Sequence, residues 1–310
     1  MEPKVAAEHP SATAVYGRDS GQADTPELQV LICTYGEEGM RSIARANHPA
    51  VPGVEYVVCW QLPEGEALVP VELRRPDFKI YMSRTRGLAL NRNMALSVST
   101  APLLLISDDD LIYTARHLGN VLAAFEQEPH ADIICFMYES EHPKRYPESR
   151  YQYSAGAAKG HYITSFEIAM RADGIRGKMW FDTRFGIGGV YPMGEEDIFM
   201  HTVASHGLKA VFVPNTIARH DGPTSCQYQG DAETAHTKGA VFYHLFSLPQ
   251  RRLRMLTHAW RARHRFPMRD YVKAWLQGER EEREAIARGD SGCKPPRSLP
   301  KMIFDGSNLR

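Results

Sequence analysis

The sequence is poor in cysteine: five thiols in 310 residues, at Cys33, Cys59, Cys135, Cys226 and Cys293, an odd number with no CxxC pair. This excludes a disulfide framework. The three that fall inside apolar, strand-like runs read as buried free thiols of a reducing compartment. Neither sign of charge is in excess, with 37 basic and 37 acidic residues and a formal net charge of zero. A global nucleic-acid footprint is thereby excluded, and any basic partner site must be local. Long apolar runs are missing as well. None approaches the roughly 18 residues that span a bilayer, and MEPKVAAEHPSATAVYGRDSGQADTPE lacks the apolar centre of a signal peptide. The expectation is a soluble, cytoplasmic protein. There is no internal repeat, no GxSxG, no Walker A loop, and no GxGxxG opening a helix in the right context.

What is present is enough for one large domain with an appendage: 43% hydrophobic residues for a core and 24% charged residues for a surface. Residues 1–26 are polar and small and read as a disordered leader. From Leu28, LQVLICTY, VEYVVCWQL, FKIYMS, APLLLIS and ADIICFMY read as strands. Between them, GMRSIARAN, GLALNRNMALSVS and ARHLGNVLAAFEQEP carry helical spacing. This alternation predicts a mostly parallel, helix-covered sheet within a catalytic domain over 27–250. A polar loop is expected over 142–160, and LKAVFVPNTIARHDGPTS reads as a final strand ending near His220. The composition turns basic at Arg251, which sets off a helical extension over 251–288, and residues 289–310 read as a loose tail.

LLLISDDDLIY runs an apolar strand into Asp108, Asp109 and Asp110. Two like charges about 4 Å apart at an effective dielectric of about 20 repel by roughly 4 kcal/mol. A divalent cation would reverse that sign, because hard cations seek clustered carboxylate oxygens. Extended backbone would put Asp108 and Asp110 on one side and Asp109 on the other. The plain alternative is an acidic turn before a helix capped by Asp110 or Thr114. Parallel sheets bind ligands at the carboxyl ends of their strands. Thr34, Tyr35, Gln61 and the triplet therefore belong to one edge, which favours the ligand reading.

Two further clusters follow. In GEED, Glu195, Glu196 and Asp197 open a helix after a glycine-rich loop. They either complement the helix dipole or aim a general base into the cleft. In ARHDG, His220 ends a strand, where it is either a hydrogen-bonded structural residue or, with a carboxylate, part of a divalent site. Arg92, flanked by Asn91 and Asn93, makes a polar face on its helix and suits a metal–diphosphate.

In this order, TY, RGLALNRNMAL, LLLISDDD, FDTRFGIGG, GEEDIF and VPNTIARHDGPTS resemble the family 2 glycosyltransferases of the GT-A fold, over roughly 28–245. The likeness is to the bacterial branch of surface and capsular polysaccharide synthesis. The resemblance implies an α/β, Rossmann-like mixed sheet with a C-terminal helical extension. It also implies an inverting transferase that takes a nucleotide-diphosphate sugar donor to a saccharide or lipid-linked acceptor with Mn²⁺ or Mg²⁺. Thr34, Tyr35 and Gln61 would line the nucleotide pocket, and Asp108 would sit near the ribose with Asp109 also on the donor side. Arg92 would approach the nucleotide or its phosphates, and Lys238 would close over the diphosphate. Asp110 would hold the cation, with His220 as a second ligand to it or a contact to phosphate.

Glu196 would be the base, in preference to Glu195 or Asp197, because matching Phe199 to the family's following apolar residue sets that register. Trp60-Gln61 departs from the acidic residue many relatives carry at the second strand end. A nucleotidyltransferase would share the sheet and the acids, but TYGEEG sets two glutamates where a triphosphate would lie. A sugar-nucleotide binder without turnover is the other alternative. Finally, the basic segment 251–269, interleaved with Met255, Leu256 and Trp260, suits either a membrane surface or packing on the catalytic domain.

Overall fold

The computed structural model describes residues 25–142, 144–153, 162–222 and 231–309. The expected leader up to residue 24, Cys226 and residues 154–161, which include part of the expected polar loop, lie outside them. Nine strands form one sheet: β1 (Leu28–Tyr35), β2 (Val54–Gln61), β3 (Phe78–Ser83), β4 (Leu103–Asp108), β5 (Ile133–Glu139), β6 (Tyr151–Tyr153), β7 (Ile168–Arg171), β8 (Ala210–Arg219) and β9 (Lys301–Asp305). Their order is β6-β8-β5-β7-β4-β1-β2-β3-β9. The helices are α1 (Gly36–Ala46), α2 (Leu88–Val98), α3 (Ala115–Gln127), α4 (Ala172–Ile175), α5 (Glu195–Ser205), α6 (Ala232–Leu245), α7 (Leu248–Ala262) and α8 (Met268–Ala287).

The period of two along the strands decides the layers. Leu28, Val30 and Ile32 of β1 pack with Met40 and Ile43 of α1 and with Leu118 and Val121 of α3. Leu31 and Cys33 face the other way, onto Ala89 and Met94 of α2 and Phe199 and Val203 of α5. The result is a sheet buried on both faces.

Three expectations change. The alternation of elements points to a mostly parallel sheet, whereas the sheet is mixed, as the resemblance implies: β4-β1-β2-β3 run parallel, and β7 lies antiparallel between β4 and β5. The polar loop contains a short strand, β6, paired to β8. The tail is not loose, and β8 is not the last strand. Cys293 bridges to Asp182, and β9 pairs antiparallel with the edge strand β3. Edge backbone left bare is a pairing hazard, and β9 satisfies it.

Helices α6, α7 and α8 form a separate layer around Ala235, Met255, Ala259, Tyr271 and Trp275. Two glycines allow α6 and α8 to approach closely. A Cβ on Gly239 would sit 2.0 Å from the Trp275 carbonyl oxygen, and one on Gly278 would sit 1.9 Å from that of His236.

Candidate functional site

Parallel pairing in register brings the ends of β1, β2 and β4 together, with Tyr35 opposite Gln61 and Cys33 opposite Asp108. A cleft of about 320 Å³ opens there, lined by Thr34, Tyr35, Gln61, Arg92, Asp108, Asp109, Asp110, Glu195, Glu196 and His220. Two expected residues are not in its lining. Asp197 turns away along α5, and Lys238 sits on α6, its Nζ 3.5 Å from His258 Nδ1.

The acidic triplet separates three ways, because β4 ends at Asp108 and the chain turns. Asp108 accepts a hydrogen bond from Arg92 Nη2 at 3.1 Å. Burial pushes its carboxyl up, and the Arg92 charge partly offsets this. Asp109 accepts from Thr34 Oγ1 at 2.5 Å. Burial, partly opposed by that hydrogen bond, raises it to about 6. A side chain at Gly39 would collide with this pair, its Cβ 1.9 Å from Thr34 Oγ1 and 2.3 Å from Asp109 Oδ2. Asp110, about half exposed, lies 3.0 Å from His220 Nε2 through Oδ2. The helix that follows is capped by Thr114 and not by Asp110.

His220 is buried, stacked on Phe166 at 5.4 Å, and its Nδ1 has no hydrogen-bond partner. The Asp110 hydrogen bond, against the opposing effect of burial, raises its pKa. Among the described residues no group of three His, Cys, Asp or Glu side chains makes a complete metal cage. The pair Asp110 and His220 is one hard oxygen and one imidazole nitrogen. It fits Mg²⁺ or Mn²⁺ as a partial set, since such ions commonly take their other ligands from substrate phosphates and water.

Arg92, expected near the nucleotide or its phosphates, lines the cleft and is engaged there by protein groups. It is 1% exposed and bonded to Glu195 Oε1 at 2.6 Å and Ser165 Oγ at 2.6 Å besides Asp108. Burial disfavours its charge, but Asp108 and Glu195 outweigh this and hold it fully protonated. Gly186, at φ +90°, makes room for Glu195: a Cβ there would lie 2.9 Å from its carboxylate carbon.

The N-cap of α5 is Gly194, at φ 91° and without a side chain to cap the helix, and Glu195, Glu196 and Asp197 fill the first turn, where acids also complement the helix dipole. Glu196 opens toward the cleft. Burial, together with the charges of Glu195 and Asp197, pushes its carboxyl well above the usual range. Burial and Glu195 raise Asp197 to about 6.

Gln61 Nε2 donates to Thr85 Oγ1 at 3.0 Å, and the Arg86 guanidinium lies over the exposed Tyr35 ring at 5.8 Å. Ser165 and Phe166 were missed in the sequence, where ITSFEIAMR reads as one strand. The Thr164–Glu167 capping box turns the chain here and presents both residues to the cleft. The T-x-x-E spacing was the available signal.

The sequence model "Glycosyl transferase family 2" matches residues 66–191. Over this stretch the chain is similar to the family 2 glycosyltransferases. The glycosyltransferase match takes in Arg92, the acidic triplet and the glycine-rich loop; the α5 acids and His220 lie beyond it.

No curated protein matches the sequence. Among solved structures, S. aureus TarS aligns with TM-score 0.51 and 17% identity, covering 70% of this chain and 39% of that one. The chain thus spans well under half of that TarS chain, and the likeness is one of fold. TarS 1–349 gives 0.49 and 13%, covering 85% and 92% of the two chains. The Pyrobaculum calidifontis mannosyltransferase PcManGT in complex with GDP-Man and Mn²⁺ gives 0.49 and 14%, covering 86% and 76%.

Proposed function

We propose that the protein transfers a sugar from a nucleotide-diphosphate donor to the hydroxyl of a saccharide or lipid-linked acceptor, with inversion, in surface polysaccharide or glycoconjugate synthesis. The observation that carries this reading is that one cleft at the strand ends is lined by the Asp110–His220 pair and by Glu196, in a chain with a family 2 segment. Asp110 and His220 would hold a divalent cation. Bound there, the cation neutralises charge on the leaving diphosphate.

The chain's own groups do the rest. Tyr35 and Arg86 offer a flat, cationic face at the mouth for a base, and Gln61 and Asp108 lie deeper on the donor side. Glu196 accepts the acceptor hydroxyl's proton, and burial beside Glu195 and Asp197, which raises its affinity for a proton, makes its carboxylate a stronger base. Inversion at an oxocarbenium-like carbon needs one such carboxylate on the acceptor side. Arg92 takes a positioning role: its guanidinium ties Asp108 on the donor side to Glu195, the neighbour of the base.

The test is a melting screen of purine and pyrimidine nucleotide sugars with and without Mn²⁺. A cognate donor at 100 times Kd should stabilise the protein by about 2.7 kcal/mol. The gain should require the cation and be lost in Asp110→Asn. Cation-independent stabilisation that survives Asp110→Asn would remove the metal from this account.

A further inference from the structure

Helix α7 buries one face and leaves an apolar stripe on another. Met255 and Ala259 pack inward on Tyr271 and Trp275. At 100° per residue, Leu253, Leu256 and Trp260 fall within about 60° of one another, roughly 110° around the helix from Met255 and Ala259, and they are 65%, 47% and 58% exposed. The transfer site does not explain this stripe.

Its surroundings are of one sign. Residues 248–269 include seven arginines and no aspartate or glutamate. Arg251 and Arg252 are held inward by Glu279. Arg254 and Arg261 run along one edge of the stripe, both exposed, and Arg263 lies over the Trp260 ring at 3.9 Å. Arg254 is braced against the Phe246 ring at 4.0 Å, which holds it beside the stripe.

We infer that the outer face of α7 is a docking surface for a bilayer that carries anionic headgroups. A helix lying in an interface seats leucine and tryptophan among the acyl chains and sets arginines at the headgroup level. A second copy of this chain is the poorer occupant. Symmetric self-association would bring like-charged rows of arginine together with no acid on either side to compensate. The surface lies outside the transfer cleft, so the inference stands or falls independently of the proposed reaction.

The test uses the full chain with vesicles of phosphatidylcholine alone and of phosphatidylcholine with phosphatidylglycerol, followed by sedimentation at low and raised salt. Binding is expected on the anionic vesicles, with a steep loss as salt rises. Arg254→Gln and Arg261→Gln should each weaken partitioning roughly fivefold. Leu253→Gln with Trp260→Gln should abolish it, with unchanged melting curves because both residues are exposed. The inference is overturned if the wild type pellets no better with anionic than with neutral vesicles. It is equally overturned if the apolar double variant pellets like wild type. Conversion of a dimer to a monomer by that variant, without any vesicle binding, would assign the stripe to a second copy instead.

Discussion

At the scale of single residues, neighbouring acids at the start of α5 have different environments, and their chemistry should separate accordingly. Glu196 lines the cleft and Asp197 does not. Glu196→Gln keeps shape and most hydrogen bonding but cannot take a proton. Transfer should therefore fall by about 100- to 10,000-fold, the usual contribution of a general base. Donor affinity should stay near normal. Asp197→Asn should keep most of the rate and change stability instead. Its carboxyl is raised to about 6, so the folded chain binds its proton more tightly than the unfolded chain does. The resulting cost to the fold grows as the pH climbs from the unfolded value near 4 to about 6 and is fully present above that. Asp197→Asn should therefore melt higher than wild type at pH 7, with the difference gone below about pH 4. Initial rates and melting curves of the two variants, taken in parallel, check both statements. Normal rates in Glu196→Gln beside a dead Asp197→Asn would move the base by one position.

At the scale of elements, the contact of α6 with α8 rests on Gly239 and Gly278. Alanine is the better helix former by up to about 1 kcal/mol. Even so, Gly278→Ala should lower stability by about 1–3 kcal/mol, because its methyl group would meet the His236 carbonyl and drive the helices apart. A thermal or urea melt decides the sign, and a variant more stable than wild type would mean that the helices do not pack so closely. The strands β1 to β5 and the helices between them were legible because one period of two or 3.6 dominates each segment. Strand ends located Thr34, Gln61 and Asp108 for the same reason. Partners across the fold were not legible. That Arg92 is claimed by Asp108, Glu195 and Ser165 depends on which loops fold back over α2, and no local spacing records that. Lys238 was placed at the cleft by analogy of order, whereas α6 turns it toward His258 on α7. The strand character of KMIFD was hidden among the prolines and glycines around it. Its pairing partner lies more than 200 residues earlier in the chain.

At the scale of the whole molecule, that pairing gives a prediction of its own. Removing residues 301–309 should leave the cleft folded but bare the β3 edge, with Lys79 as its one charged residue. Light scattering should report concentration-dependent association of the shortened chain where the full chain stays dispersed. A monomeric truncation product with an unchanged melt would show that β3 needs no cover. The same strand order has a consequence in time. A ribosome delivers β3 early and β9 only after every other strand of the sheet has been made. At roughly 5–20 residues per second, the open edge of β3 waits on the order of ten seconds or more for its partner. Throughout that interval the nascent chain presents unpaired backbone to its surroundings, so the period of greatest exposure to misassembly, and of greatest use for a chaperone, falls during translation and ends when β9 emerges.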